Sequence, residues 1–300
     1  MLSPSVTNTG VDLSKLPSPE VVETLSYDVI LAAMLADLVA RDPAFTALVP
    51  SDPAMRILEV CAYRELLIRQ RVNDACRGVM VAYAVGGALD HLGSLVGAIR
   101  LVLTPADEEA GTDAVLESDD SFRRRIVLAP DGFSVAGPEA AYVYHALSAH
   151  PDVLDATAIS PEPGEVLVTI QSRIGSGVAD AEVLEAVDAA LNAETVRPLT
   201  DQVTVQSASI VNYAAEAELW IFAGPDSAVV LAEAIARRDL YIAECRRLGR
   251  TPTRSGLIAA QHVAGVQRVV QIQPAADVEV DRTQVAVCTS ASTTIAGIDE

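Results

Sequence analysis

Glu117, Asp119 and Asp120, followed by Arg123, Arg124 and Arg125, form a group of ionisable side chains whose spacing invites a chemical reading. Carboxylates this close together can serve acid–base catalysis or hold Ca²⁺. No EF-hand pattern surrounds these, however. An acidic cluster at a helix start is favoured by the helix dipole, and Arg123 and Arg124 lie three and four residues beyond Asp120, within ion-pair reach. The spacing therefore predicts a solvated helix start, with a hydrolase-like enzyme using Glu117 or Asp119 as the alternative. The remaining candidates are weaker. His91, His145, His150 and His262 fall in no HxxH, HExxH or Cys/His cluster, so they suit exposed or capping positions better than a metal site. Gly132-Phe133-Ser134-Val135-Ala136 approaches a hydrolase nucleophile elbow but lacks its final glycine, and reads as a turn. Gly175-Ser176-Gly177 lies between a strand and a helix, as a phosphate loop would, yet has neither a third glycine nor a lysine. The sequence offers no catalytic, metal or cofactor-binding residue that rises above background. An interaction protein is favoured over an enzyme.

Composition narrows the partners. The chain carries 41 acidic against 21 basic side chains, a net charge of −20 and a pI near 4.5. Phosphate neutralisation by Lys and Arg supplies most nucleic-acid affinity, and basic patches hold proteins on anionic lipid, so neither nucleic acid nor a membrane surface is expected. Apolar residues make up 50% and charged residues 21%, the balance of a folded chain. The most apolar run, residues 78–103, is broken by Asp90, His91 and Arg100, which argues for a buried helix pair over a membrane span. Cys61, Cys76, Cys245 and Cys288 are far apart and form no CxxC pair, so they are expected to be small buried hydrophobes in a reducing compartment. Residues 1–12 lack the basic region and apolar run of a signal peptide.

Several elements would position these residues. Pro17-Ser18-Pro19-Glu20 punctuates the start of a helix over 22–41, which Asp42-Pro43 ends. Ser51-Asp52-Pro53 opens a second, longer helix running to Gly86-Gly87. Along it Leu58, Cys61, Ile68, Val72, Ala75 and Val79 form an apolar stripe, predicted to pack, opposite Arg56, Glu59, Arg69, Asn73 and Arg77. A short helix over 88–96 and a strand-like 99–103 follow, then an acidic loop over 106–120. Helices over 121–128 and 138–148 precede a β-hairpin of 153–159 and 165–170 turned at Pro163-Gly164. A helix over 179–192 and a strand over 202–205 complete that unit. The last third reads as a strand over 213–222, helices from Gly224-Pro225-Asp226 through Arg247 and over 256–263, and a second hairpin of 266–272 and 283–287. The helix-then-hairpin pair occurs twice, as in two small α/β sandwiches related by weak repetition. The fold class expected is α+β: a helical region over 1–104, a middle α/β domain over 105–208 and a C-terminal α/β domain over 209–300.

The order of motifs resembles the baseplate assembly protein J family of contractile-tailed bacteriophages and related injection systems. The likeness covers nearly the whole chain. It runs from Leu16-Pro17-Ser18-Pro19-Glu20 through the helix that opens Leu58-Glu59-Val60-Cys61-Ala62-Tyr63-Arg64-Glu65 and ends Arg71-Val72-Asn73-Asp74-Ala75. It continues with Ala84-Val85-Gly86-Gly87-Ala88-Leu89-Asp90, Glu117-Ser118-Asp119-Asp120-Ser121-Phe122-Arg123-Arg124-Arg125-Ile126 and Ala136-Gly137-Pro138. Pro161-Glu162-Pro163-Gly164-Glu165-Val166, Arg197-Pro198-Leu199-Thr200 and Leu248-Gly249 follow in order. The resemblance implies a structural wedge subunit without a cofactor. It implies two copies per wedge, a smaller wedge subunit as partner, tail hub and sheath proteins nearby, and a six-fold ring that rearranges on contraction. Such a protein would be assembled in the bacterial host cytoplasm and end in the virion tail baseplate. The long helix would join an intersubunit bundle, and the C-terminal region would make copy-to-copy contacts. Tyr63, Leu66 and Leu67 flank the stripe and widen its apolar face, which makes them interface candidates. Arg64, Arg69, Arg71 and Arg77 are candidates for pairing with acidic neighbours.

Overall fold

The computed structural model describes Leu13, Glu23 and residues 25–46, 48–134, 136–224 and 226–299. The turn at Pro17-Ser18-Pro19-Glu20 and the segment 1–12 read for a signal peptide lie outside the described residues. The fold is α+β, and the chain gathers into two compact units. One is drawn from Val11–Arg100 and Ser118–Arg123, the other from Leu101–Glu117 and Arg124–Glu300.

The smaller unit is helical. Helix α1 (Tyr27–Arg41) starts later than residue 22, because Ser26 is extended and its hydroxyl accepts from the Val29 amide at 3.4 Å. Asp42 ends it and then caps a short 3-10 turn, Pro43–Phe45, its carboxylate accepting from the Ala44 amide at 3.0 Å. Helix α2 (Pro53–Gly78) opens as expected, with Asp52 accepting from Ala54 N at 2.9 Å and Pro53 in the first turn, where no amide donor is needed. It stops at Gly78, short of Gly86. Helix α3 (Gly86–Ser94) begins at Gly86 itself, whose φ of +53° marks the sharp change of direction. Gly93 in α3 is required by packing: a Cβ there would lie 2.5 Å from the ring of fully buried Phe122.

In the larger unit, β1 (Val102–Thr104) pairs antiparallel with β2 (Val115–Leu116), so the acidic segment expected to be loop contains a short strand. Helix α4 (Asp119–Leu128) enters this unit at Arg124, its first turn belonging to the smaller one, and α5 spans Glu139–Ala149. Strands β3 (Val153–Ile159) and β4 (Glu165–Ser172) form the expected hairpin. Helix α6 (Ala181–Leu191) then crosses over to β5 (Gln202–Ser207), which runs parallel to β4 and gives the order β3-β4-β5. Val183, Val187 and Leu191 recur every four residues on α6 and close over Val168 and Ile170, with Ala146 and Leu147 from α5 completing the core. Each large aliphatic side chain so buried contributes about 1.5–3 kcal/mol.

The second sheet corrects the sequence reading. Strand β6 (Ser209–Phe222) buries Tyr213, Ala215, Ala217, Leu219 and Ile221 in strict alternation. Helices α7 (Ser227–Cys245) and α8 (Arg254–Gln261) follow, then β7 (Val266–Gln273) and β8 (Gln284–Asp299). β7 and β8 do not form a hairpin: the order is β7-β6-β8, with β7 antiparallel and β8 parallel to β6. A 14-residue strand with an apolar residue at every second position from Val211 to Ile221 gains most when ladders satisfy both its edges, so β6 takes the centre. The repetition is therefore a rearrangement. Each sheet has a central strand flanked by one antiparallel and one parallel neighbour, but β4 follows its antiparallel neighbour while β6 precedes both of its own.

Side chains join the two sheets inside this unit. Asp155 of β3 accepts from Arg124 at 2.6 Å and from the Leu248 amide at 3.1 Å, and Gln171 of β4 donates to the Arg246 carbonyl at 3.2 Å. Thr157 donates to the carbonyl of Arg282, whose guanidinium pairs with Glu139. The cysteines divide: Cys245 is buried as expected, Cys76 and Cys288 are half-buried, and Cys61 is exposed because it lies on the uncovered face of α2.

Candidate assembly interface

Helix α2 has two sides, and the packed one is not the predicted stripe. Ala62 and Asn73 are its buried residues, and half-buried Met55, Leu58, Leu66 and Cys76 share their side, the one that meets α1. Asn73 is buried because it serves as a tie. Its side-chain carbonyl accepts from the Glu23 amide at 3.0 Å, and its amide donates to the Glu23 carbonyl at 2.9 Å. Apart from Leu58, which packs, the predicted stripe faces outward instead: Cys61, Ile68, Val72, Ala75 and Val79 are exposed, Ile68 at 65% and Val79 at 72%. The period of apolar residues marks a face that needs covering, but nothing in it says whether the cover comes from the same chain.

At 3.6 residues per turn, Ile57, Val60, Cys61, Arg64, Leu67, Ile68, Arg71, Val72, Ala75 and Val79 fall on one outward surface. The steps of three and four are those of a helix–helix seam, with Arg64 and Arg71 in positions that usually hold apolar knobs. The helix is about 39 Å long at 1.5 Å per residue. Of the candidates named from sequence, Leu67 is exposed within this seam and Tyr63 is exposed beside it, whereas Leu66 is half-buried on the α1 side. Arg64, Arg71 and Arg77 are exposed and pair with no carboxylate among the described residues, and Arg77 lies off the seam. Arg69 points elsewhere and is occupied by Glu65 at 2.7 Å and Glu23 at 2.9 Å. The hydrogen bond to Glu65 and the charge of Glu23 raise its pKa above the ordinary arginine value. Ile57 and Val60 belong to the surface as well. The four-residue steps from Ile57 to Cys61 and from Val60 to Arg64 are the signal that would have added them.

The carboxylate group is built for structure. Glu117 is not solvated: its side chain is 2% exposed and meets Arg125 twice, Oε1 accepting from Nε at 3.1 Å and Oε2 from Nη2 at 2.6 Å. The Leu101 amide donates to the same Oε2 at 3.3 Å. Arg124 reaches Asp155. In the smaller unit, Asp119 accepts from Arg100 at 2.7 Å and from the Gly86 amide at 3.2 Å, so it caps α3. Burial opposes the Asp119 charge, yet the Arg100 and Gly86 hydrogen bonds outweigh it and hold its pKa below the ordinary aspartate value. Asp120 alone matches the solvated helix start, paired with Arg123 at 2.6 Å, while Arg123 also donates to the carbonyls of Val81 and Ala84. Each carboxylate is held by an arginine, the opposite of a dyad poised to exchange protons with a substrate.

The other motifs are also local. Ser134 accepts from the Ala136 amide in a turn, with Val135 outside the described residues. Gly175 takes φ +62° and its carbonyl accepts from Arg246 at 2.6 Å, so that turn receives a cation where a phosphate loop offers amides. His145 is half-buried, and burial lowers its pKa although its ring contacts the Gly132 carbonyl at 3.1 Å. His150 accepts from the Asp152 amide at the end of α5. Among the described residues, no three His, Cys, Asp or Glu side chains converge as metal ligands, and no helix is long and apolar enough to cross a membrane.

Comparison with known proteins adds three findings. Residues 50–107 match the Baseplate J-like N-terminal domain, and residues 134–207 match the Baseplate J-like central domain. Baseplate protein J of Escherichia phage P2 is 44% identical over 299 residues, covering 97% of this chain and 99% of that protein. Among solved structures, a chain of the six-fold symmetrised anti-feeding prophage baseplate is 15% identical with a TM-score of 0.38. That match covers 59% of this chain and spans 42% of the other, and a similarity this low carries no argument.

Proposed function

This chain belongs to the Baseplate J-like family, and on that premise we propose that it is a structural subunit of the baseplate wedge of a contractile tail or related injection system. It acts by binding other subunits. The enzyme alternative falls with the family and with Glu117, whose carboxylate is committed to Arg125. In this reading two copies occupy each wedge with a smaller wedge subunit. The wedges close into a six-fold ring around the hub, beside the sheath, and the ring rearranges on contraction. The protein is assembled in the host cytoplasm and works in the virion tail baseplate, bound to neither nucleic acid nor membrane. Its division at 104/105 and 208/209 is part of the same proposal, and limited proteolysis at those joints tests it.

The observation that carries the reading is the uncovered seam of α2. Exposed apolar surface on this scale marks an interaction site, and an i, i+3/i+4 pattern suits a partner helix. Tyr63 and Leu67 sit in the contact, Leu66 supports it from the α1 side, and Arg64 and Arg71 pair with acidic residues of the partner. Arg69, held by Glu65 and Glu23, and Arg77 lie off it. The test is the variant Tyr63→Glu/Leu67→Glu/Ile68→Glu, all at exposed positions, so that the chain keeps its circular dichroism and melting profile. Loss of the complex with co-expressed baseplate subunits, and of assembled particles by electron microscopy, is expected. Normal particles from the folded triple variant would sink the proposal.

A further inference from the structure

Strand β3 is the outer strand of the sheet β3-β4-β5, and its hydrogen-bond phase follows from β4. The Gly164 carbonyl accepts from the Gln202 amide and the Ile170 carbonyl from the Ala208 amide, both at 2.8 Å. Every second residue from 164 to 170 therefore faces β5, and Leu167 and Thr169 face β3, where they oppose Ile159 and Thr157. Ala158, opposite Val168, must turn its N–H and C=O away from the sheet. The start of that outer edge is closed: the register shifts between Val153 and Asp155, and the Ala156 amide donates to the Asp155 carboxylate at 3.0 Å. Ala158 stays open. It is 5% exposed, and no group of the described residues outside the sheet bonds its N–H or C=O. It lines a cleft of about 410 Å³ with Gly137, Tyr142, Ile159, Val166 and Arg282. Arg282 borders the same edge. Its carbonyl accepts from Thr157, its Nη2 pairs with Glu139 of α5, and its Nε is buried with no acceptor among the described residues.

We infer that the outer edge of β3 at Ala158 receives an extended segment of a different baseplate subunit, which lays an aliphatic side chain in the cleft and carries a lysine or arginine beside it. The inference rests on the assembly reading above but not on the α2 seam. Buried backbone donors and acceptors are nearly always paired, and an extended chain offers the N–H and C=O that Ala158 lacks. Its carbonyls are also acceptors of the kind missing at Arg282 Nε. The Tyr142 ring, Ile159 and Val166 give the cleft an apolar wall, which selects an aliphatic side chain. Charge selects the neighbour. Arg282 is answered by Glu139, and the Tyr142 hydroxyl donates to Asp201 at 2.7 Å. Glu162 and Glu165 are exposed at the rim and pair with no cation among the described residues. The Ser160 hydroxyl, donating to the Glu162 carbonyl at 2.9 Å, holds that turn beside the cleft. The uncompensated charge of the rim is negative, so a basic segment is complementary. A second copy of this chain, at net −20, is a poor source of one.

The experiment uses the full chain, alone and co-expressed with the other baseplate subunits. Hydrogen exchange of the Ala158 amide is expected to slow about tenfold or more in the complex. Ala158→Pro removes that donor and spares the β4 ladder, because the amide points away from it. It is expected to weaken binding of the subunit held at β3 about tenfold, while subunits held through α2 stay bound. Should the proline unfold the chain, Glu162→Lys/Glu165→Lys, at exposed positions, reads the same contact and is expected to weaken it by about tenfold. A photo-crosslinker at exposed Ser160 is expected to capture a segment of a different subunit with Lys or Arg beside Val, Leu or Ile. Capture of a second copy, or of an acidic segment, overturns the assigned partner. Unchanged Ala158 exchange, with every subunit retained by the double variant, overturns the edge and leaves the wedge reading standing. A wild type that forms no complex overturns both.

Discussion

At Glu117 and Arg125 two opposite charges are almost wholly removed from water, in a geometry with two hydrogen bonds between them. Desolvating such a pair is expensive, so its net worth is small while both partners are present, but losing one leaves the other uncompensated. Glu117→Gln is therefore expected to destabilise the fold by about 3–5 kcal/mol, whereas replacing both residues with apolar ones of similar volume costs much less. Denaturant unfolding of the two variants separates these outcomes; equal losses would mean that the pair matters as packing alone. The same residues show how much chemistry was legible. The sequence places Glu117, Asp119 and Asp120 at a helix start with arginines in reach, and Asp120 behaves that way. That Glu117 is buried was hidden, because its partner Arg125 lies eight residues on, outside the spacing at which neighbours on a helix meet.

Elements were readable where local physics decides and obscure where a distant partner does. Asp52-Pro53 and Pro163-Gly164 carry their own turn and cap chemistry, and α2 and the first hairpin follow from them. β8 carries no such signal. Its run Cys288-Thr289-Ser290-Ala291-Ser292-Thr293-Thr294 has no apolar alternation, and it becomes a strand because β6 offers it a parallel ladder. One buried chain of side chains fixes that arrangement. Arg238 of α7 donates to Thr293 of β8 at 2.7 Å, Thr293 to Gln261 of α8 at 2.8 Å, and Gln261 to Gln271 of β7 at 3.1 Å. All four residues are buried, so a single break strands the others. Gln261→Leu is expected to cost about 2–3 kcal/mol, the penalty for unpaired buried partners, despite adding apolar volume. A thermal shift near zero would show that the network has slack that water can fill.

For the whole molecule, the charge of −20 acts on assembly with two signs. Screening relieves repulsion between like-charged copies, which favours association as salt rises. It also weakens any pairing of Arg64 and Arg71 with acidic partners across the α2 seam. The balance depends on distance. The Debye length falls from about 10 Å at 0.1 M to about 3 Å at 1 M, so general repulsion between surfaces is mostly screened already at 0.1 M, while contact-range pairs lose strength only at higher salt. Between 0.1 and 1 M, the complex made through α2 is therefore expected to weaken. In the variant Arg64→Gln/Arg71→Gln that trend is expected to disappear or reverse, because apolar burial remains and only repulsion is left to screen. Titrating salt against binding for both proteins gives the two slopes. Parallel slopes would remove these arginines from the interface and leave the seam of Ile57, Val60, Ile68 and Val72 to carry it on apolar contact alone.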